Sequence, residues 1–348
     1  MKILIVKTSA IGDVSHTLPA LNAIRSHYPD AHITWLVEED AADIVIGHKA
    51  LDRVLVSKRK RWIRELRGPS KLSAIKAMYE FIRQIRDTQY DMVIDFQNLL
   101  KSGVLIALTR AKRKVGFGRG MEHSEYSYLF LNEHIPAVDM NHHAVSRELM
   151  LLEALGVGCK DIRFDVPILN SDRKEIEDLL AVSGTDKKKP LIAINPISKW
   201  ETKLWGNQNF ADLADHLIEK YNAGVIFTGS RSDLTLVQDI ISRMKCNAVN
   251  LTGRTTLKML TALYEKIDTL ISTDTGPMHL AAAVGTPVVA LFGPTAPWRT
   301  GPFGSGHQII RADLVCSPCF KRQCDTTDCM KQISVQQVLN GVKRLGFI

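Results

Sequence analysis

Four loops and one basic segment carry residues whose types and spacing could do chemistry. The first loop, Lys7-Thr8-Ser9-Ala10-Ile11-Gly12-Asp13, joins a short apolar run to an amphipathic segment. Its small residues would let a ligand approach the backbone, and a following helix would offer N–H groups to it. Asp13 is a carboxylate suited to general base catalysis. The same position suits a helix cap, so residue type alone leaves both roles open. The loop has neither the glycine spacing of a dinucleotide fingerprint nor the Gly-Lys-Ser/Thr of a P-loop.

Three more loops lie in the second half. Pro196–Trp205 holds Ser198, Lys199 and Lys203, compact positive charge and a hydroxyl that suit a diphosphate; a solvated loop is the plainer reading. Gly229–Asp233 ends in an acid, Asp233, that could bond ribose hydroxyls or cap a helix. Ser272-Thr273-Asp274-Thr275-Gly276-Pro277-Met278-His279 is the most specific of the three. Pro277 fits a first helical turn. Thr275 and Gly276 could hold an anion on their N–H groups, with His279 facing the same anion or packed as a structural histidine.

Between residues 58 and 67 six bases stand against one acid, and Lys71 and Lys76 continue the trend. A second cluster is Arg110, Lys112, Arg113, Lys114 and Arg119. Such runs are solvated surface or polyanion-recognition sites; forked arginine donors suit carboxylates and phosphates. Trp62 stands among the bases, placed to enter a bilayer interface. Cys316, Cys319, Cys324 and Cys329 crowd one segment. Only the first pair has the tight spacing of a structural zinc site, so free thiols or an adventitious disulfide are expected rather than metal.

The elements that must position these residues follow an α/β rhythm. Strands are expected at Lys2–Val6, Ile33–Val37, Arg53–Val56 and Asp91–Phe96, with a helix over Val14–His27 whose early turns Pro19 disturbs. The pattern restarts with strands Leu191–Asn195, Gly224–Thr228, Ala248–Leu251, Asp268–Ser272 and Pro287–Phe292. Helices are expected at Asn209–Tyr221, from about Ser232, from Pro277 to Gly285, and at Val335–Leu345. Two such series predict two doubly wound Rossmann-like domains, residues 1–170 and 171–348, facing a cleft. The joint is expected within residues 168–188, where Asn170, Ser171, Gly184 and the run Lys187-Lys188-Lys189-Pro190 lower the apolar density.

The chain has 348 residues, 45% hydrophobic and 24% charged, which excludes a disordered, collagenous or disulfide-stapled chain. No stretch reaches the roughly 18–20 apolar residues of a membrane span. The first apolar run is too short for a signal peptide, so a cytoplasmic protein with reduced thiols is expected. Net charge is +8, with no basic tail in either half. An anionic partner must be met by local clusters. No nucleic-acid-binding motif is present, and none is expected as partner.

Taken together, the loops resemble the ADP-heptose:lipopolysaccharide heptosyltransferases, inverting glycosyltransferases of family 9 with the two-domain GT-B fold. The resemblance is tightest at Lys7–Pro19, Asp91–Lys101 (DMVIDFQNLLK), Lys203–Trp205 and Ser272–Pro294. The opening segment and Lys60-Arg61-Trp62 are most similar to the heptosyltransferase I branch, which adds the first heptose to Kdo of the inner core. The resemblance implies that Asp13 is the general base and that Lys203 stabilises the donor diphosphate. Donor contacts then fall to Ser198, Lys199, Lys203, Asp233, Thr255, Asp274, Thr275, Gly276 and His279. Contacts to the acceptor fall to Thr8, Ser9, Gly12, Arg59, Lys60, Arg61, Arg64, Lys101 and Arg119. The partners implied are ADP-heptose, Kdo-bearing lipid A and the anionic cytoplasmic face of the inner membrane, contacted peripherally. No cofactor and no metal are implied, and the sequence has no Asp-x-Asp pair. Ser198-Lys199 stand where the first-heptose enzymes show two threonines, and the cysteine tail is more like later heptosyltransferases. A transferase of a second or third heptose is therefore the alternative, followed by a nucleotide-sugar 2-epimerase or a non-catalytic polyanion-binding protein.

Overall fold

The computed structural model describes residues 1–122, 125–185 and 189–348. Lys187 and Lys188 of the expected linker run lie outside them. The chain divides into two compact units, Met1–Pro167 and Ile168–Ile348.

The first unit is a six-stranded sheet of β1 (Lys2–Val6), β2 (His32–Glu38), β3 (Arg53–Ser57), β4 (Gln89–Asp95), β5 (Arg110–Phe117) and β6 (Glu133–Ile135). Strand order is β3-β2-β1-β4-β5-β6, and every pairing is parallel. Ile3, Leu4, Ile5 and Val6 are all fully buried, as a strand covered by helices on both faces requires. The second unit repeats the design with β7 (Leu191–Asn195), β8 (Gly224–Phe227), β9 (Val249–Asn250), β10 (Thr269–Thr273), β11 (Val288–Phe292) and β12 (Gln308–Arg311). Its order, β12-β11-β10-β7-β8-β9, is the same doubly wound pattern, again all parallel. In each sheet the order reverses beside the first strand, between β1 and β4 and between β7 and β10. The carboxyl ends of those strands are where such folds bind ligands.

Several expectations need correction. The helix expected at Val14–His27 is two helices, α1 (Ile11–His16) and α2 (Leu18–His27), because the chain turns at Thr17 to place Pro19 in a first turn. Strands β5, β6 and β12 carry no clear apolar signal. β6 pairs only with Val115, Gly116 and Phe117; along Arg110–Lys114 no outer strand follows, only Asn132 bonded to the backbone of Lys112 and Lys114, so charge is tolerated there. The second basic cluster is therefore partly a strand, with Arg113 on Glu133 (2.7 Å) and Lys112 near Asp91 (3.6 Å).

The run at 58–67 folds as α3 (Arg59–Leu66), packed on α4 (Lys71–Arg86). Trp62 does not face outward. It is buried against Phe81, ring centroids 5.1 Å apart, in a core with Leu55, Ile85 and Tyr90. A lone apolar residue among bases at helical spacing is the inward face of α3, so Trp62 is unavailable to a bilayer. Trp62→Leu should cost about 2 kcal/mol of stability in a denaturation curve.

Candidate functional site

At the switch point of the first sheet, β1 runs into Lys7-Thr8-Ser9 and β4 into Asp95-Phe96-Gln97. One side-chain carbonyl ties the two ends together. Gln97 Oε1 accepts from Thr8 N (2.8 Å), Thr8 Oγ1 (2.9 Å) and Ser9 N (2.9 Å). Asp95 shapes its own turn: Oδ1 accepts the N–H groups of Gln97 (3.0 Å) and Asn98 (3.2 Å), and Oδ2 takes the Ser102 hydroxyl (3.1 Å). Burial pushes the Asp95 carboxyl up to about 6 against those bonds. A carboxyl raised in the fold holds its proton longer than in the unfolded chain, so stability falls as pH rises from about 4 to 6 and then levels. Asp95→Asn keeps the shape and removes this term. Over that window wild type should lose about 3 kcal/mol relative to the variant in matched unfolding curves.

Lys7 crosses beneath the loop. Its Nζ donates to Phe96 O (2.8 Å) and pairs with Glu148 at 2.7 Å, both side chains buried. Burial raises the Glu148 carboxyl, with Lys7 acting against it. Beside this pair lies a cavity of about 250 Å³ lined by Lys7, Asp13, Gln97, Asn98, Arg147 and Glu148. Asn98 Oδ1 and Glu148 Oε2 are buried without a hydrogen-bond partner, so the wall offers acceptors for hydroxyl donors. Asp13 sits in the first turn of α1, and its Oδ2 accepts the Ala10 N–H at 2.9 Å. It caps the helix and lines the cavity at once.

A carboxylate that sequence reasoning passed over organises the neighbouring candidates. Glu38, buried at the end of β2, accepts from Arg59 (3.1 Å) and Lys101 (3.3 Å) on one oxygen, and its other oxygen is an unpartnered buried acceptor. Lys101 also bonds the Ser9 hydroxyl, and burial lowers its ammonium pKa. Ser9, Arg59 and Lys101 thus meet around Glu38, with Thr8 and Gly12 buried alongside the first loop. Lys60 pairs with Asp40 (2.5 Å) and Arg61 with Glu65 (2.7 Å). Arg64 and Arg119 are exposed, and among the described residues no hydrogen bond or ion pair draws them into the group.

In the second unit β7 ends at Asn195 and β10 at Thr273. Lys203 stands on a short turn, Glu201–Lys203, with its ammonium 2.6 Å from Asp274 Oδ2 and over the Trp200 ring at 4.5 Å. The Thr295 hydroxyl donates to the same Asp274 oxygen (2.6 Å). Thr273 ties β10 to the lysine loop by donating to Ile197 O (2.8 Å). The helix Gly276–Ala283 opens directly after, with extended Thr275 as its cap, Pro277 in its first turn and His279 buried one turn in. Lys203, Asp274, Thr275, Gly276 and His279 are thereby gathered at one strand end.

Ser198 stays within its own loop, accepting from Trp200 N at 3.4 Å, and Lys199 is exposed. Asp233 caps its turn, accepting from Ser230 N (2.7 Å). Its loop and that of half-buried Thr255 are joined where Gly253 N donates to Gly229 O (2.9 Å). Gly253 has φ +71°, and a Cβ there would lie 2.9 Å from Arg231 Cα, so only glycine permits this approach.

The cysteine segment packs on the same strand end; Cys316, Cys319 and Cys324 lie in a loop, while Cys329 is buried in a short helix, Asp328–Lys331, ahead of the helix Val335–Arg344. Cys319 N donates to Pro294 O (3.0 Å), Thr202 Oγ1 donates to Lys321 O (3.0 Å), and Arg322 lies 5.0 Å from the Trp200 ring centre. The six cysteines are free thiols. Among the described residues no three His, Cys, Asp or Glu side chains are arranged to hold a metal. No helix among them is long and apolar enough to cross a membrane.

The family model of glycosyltransferase family 9 (heptosyltransferase) matches residues 78–330. The chain is 26% identical to the lipopolysaccharide core heptosyltransferase OpsX of Haemophilus influenzae, over 98% of this chain and 96% of OpsX. It is 30% identical to lipopolysaccharide heptosyltransferase 1 of Pseudomonas aeruginosa, over 93% and 87%. Among solved structures, Escherichia coli heptosyltransferase WaaC with ADP superposes with a TM-score of 0.78 at 24% identity, covering 99% of this chain and 100% of WaaC. The same enzyme with ADP-2-deoxy-2-fluoro heptose gives 0.76 at 23%, covering 99% of each. Both show a shared GT-B fold.

Proposed function

Because the chain belongs to glycosyltransferase family 9, the heptosyltransferases, we propose that it moves L-glycero-D-manno-heptose from ADP-heptose to Kdo of Kdo-bearing lipid A with inversion. The observation that carries this reading is the end of β10. There a half-buried ammonium, Lys203, and the N-terminus of the helix Gly276–Ala283 converge, as a leaving diphosphate needs. The second unit, Ile168–Ile348, is then the donor-binding domain, and the first, Met1–Pro167, the acceptor-binding domain. OpsX and heptosyltransferase 1 of P. aeruginosa are named for heptose transfer to lipopolysaccharide, and WaaC was solved with ADP and an ADP-heptose analogue.

In the proposed step Asp13 takes the proton of an acceptor hydroxyl in the cavity beside Gln97 and Asn98. The freed oxygen attacks the anomeric carbon, and the bond to the ADP oxygen breaks on the opposite face. Negative charge grows on the diphosphate. Lys203 stabilises it, released from Asp274, which Thr295 continues to hold. Asp233 and Thr255 would meet the nucleoside side of the donor, and Ser198 and Lys199 its outer phosphate. Ser9, Arg59 and Lys101, with Lys60, Arg61, Arg64 and Arg119 on the approach, would read the carboxylates and phosphates of the acceptor. Such an acceptor is anchored in lipid, which places the enzyme peripherally on the anionic cytoplasmic face of the inner membrane.

The test is the product formed from ADP-heptose and deacylated Kdo-bearing lipid A, read by mass and anomeric configuration. One heptose of inverted configuration on the bare Kdo acceptor is the expected result. Addition only to an acceptor that already bears heptose would reassign the chain to a later step of the core.

A further inference from the structure

We propose that the exposed face of α4 is a docking surface for an anionic lipid bilayer, with Leu72, Ile75 and Tyr79 entering the interface. The inference deepens the membrane contact proposed above by giving it a surface. Helix α4 is apolar on two sides. Ala74, Phe81 and Ile85 are buried and pack inward, with Phe81 against Trp62. Leu72, Ile75 and Tyr79, at spacings of three and four, form a second stripe that is 84, 54 and 63% exposed. A helix packed on a core needs one apolar face; a second one in water marks an interaction surface.

Charge identifies the occupant. Residues 58–86 carry ten bases and two acids. Removing them from the chain totals of 45 and 37 leaves 35 of each sign. The entire net charge of the molecule is therefore matched by Lys58, the cap of α3, together with α3, α4 and their short connection. Lys58, Arg59 and Lys60 pair with Glu39, Glu38 and Asp40, and Arg61 with Glu65. No ion pair among the described residues engages Arg64, Arg67, Lys71, Lys76, Arg83 or Arg86. An apolar stripe set among unpaired bases is the pattern of an element that lies in an anionic interface, with tyrosine suited to the headgroup level. Self-association fits poorly. Three side chains expose a few hundred Å² at most, short of the roughly 800 Å² per partner of a stable interface, and two such basic faces would repel. Helix α3, packed on α4, begins at Arg59, which contacts Glu38 beside Ser9 and Lys101. A lipid-anchored sugar acceptor would meet that end of the sheet from the bilayer side.

The experiment is co-sedimentation of the full chain with vesicles of phosphatidylethanolamine and phosphatidylglycerol, and with phosphatidylcholine alone, over a salt series. The wild type should bind the anionic vesicles, lose them as salt rises, and ignore phosphatidylcholine. Leu72→Ser/Ile75→Ser/Tyr79→Ser should weaken that binding tenfold or more, with thermal midpoint and transfer to the water-soluble acceptor unchanged. Equal binding by the triple variant would overturn the surface. Absence of wild-type binding would overturn the membrane contact itself, leaving transfer to the soluble acceptor as a separate question. A wild-type dimer in gel filtration that the triple variant abolishes would assign the stripe to a second copy instead.

Discussion

Asp13→Asn should lower turnover by about 10²–10⁴-fold while ADP and ADP-heptose bind as tightly as before. The substitution isolates one property. An asparagine oxygen still accepts the Ala10 N–H that Asp13 Oδ2 holds at 2.9 Å, so the first turn of α1 keeps its shape. The cavity wall keeps its volume. Only the capacity to take a proton is removed. Asp13→Ala should lose the same catalytic factor and about 1 kcal/mol of stability in addition, because it also uncaps the helix. Steady-state rates with saturating donor, set beside calorimetric ADP titrations and melting curves, separate the two effects. Near wild-type turnover in Asp13→Asn would remove the general base from this account.

Lys203→Met should cost about 10²–10³-fold in turnover and weaken donor binding together, since in the proposed step its charge serves both the bound diphosphate and the leaving one. The change also strips Asp274 of its cation. That carboxylate is buried, and Thr295 alone would remain on the oxygen they share. An uncompensated buried charge destabilises, so the melting point should fall as well. Lys203→Met combined with Asp274→Asn removes both charges. The double variant should recover most of the stability and none of the activity. Recovery of activity alongside stability would mean that Lys203 serves the fold rather than the diphosphate.

Much of this was legible in the residues. Fully buried parallel strands read as continuous apolar runs, so β1, β7, β10 and β11 were visible, and with them the loops that hold Asp13, Lys203 and Asp274. Pro277 and Gly285 bracketed the helix Gly276–Ala283. What stayed hidden was hidden for identifiable reasons. β5 carries bases because half of it lacks an outer strand. Glu38, Gln97, Glu148 and Thr295 act through partners 63 to 141 positions away or on loops that no periodicity marks, and only the fold brings them to the site. Gln97 had one available signal, its place in the DFQNLLK segment that carried the resemblance. Trp62 misled because composition shows that a tryptophan sits among bases but not which face of α3 it occupies.

In the proposed reaction a heptose leaves ADP only when an acceptor hydroxyl is deprotonated to receive it. Release of ADP from ADP-heptose, followed continuously with and without deacylated Kdo-bearing lipid A, tests this most directly. Release that depends on acceptor and matches product mole for mole is expected. Comparable release in the absence of acceptor would contradict it, and would point to hydrolysis or epimerisation of the sugar nucleotide.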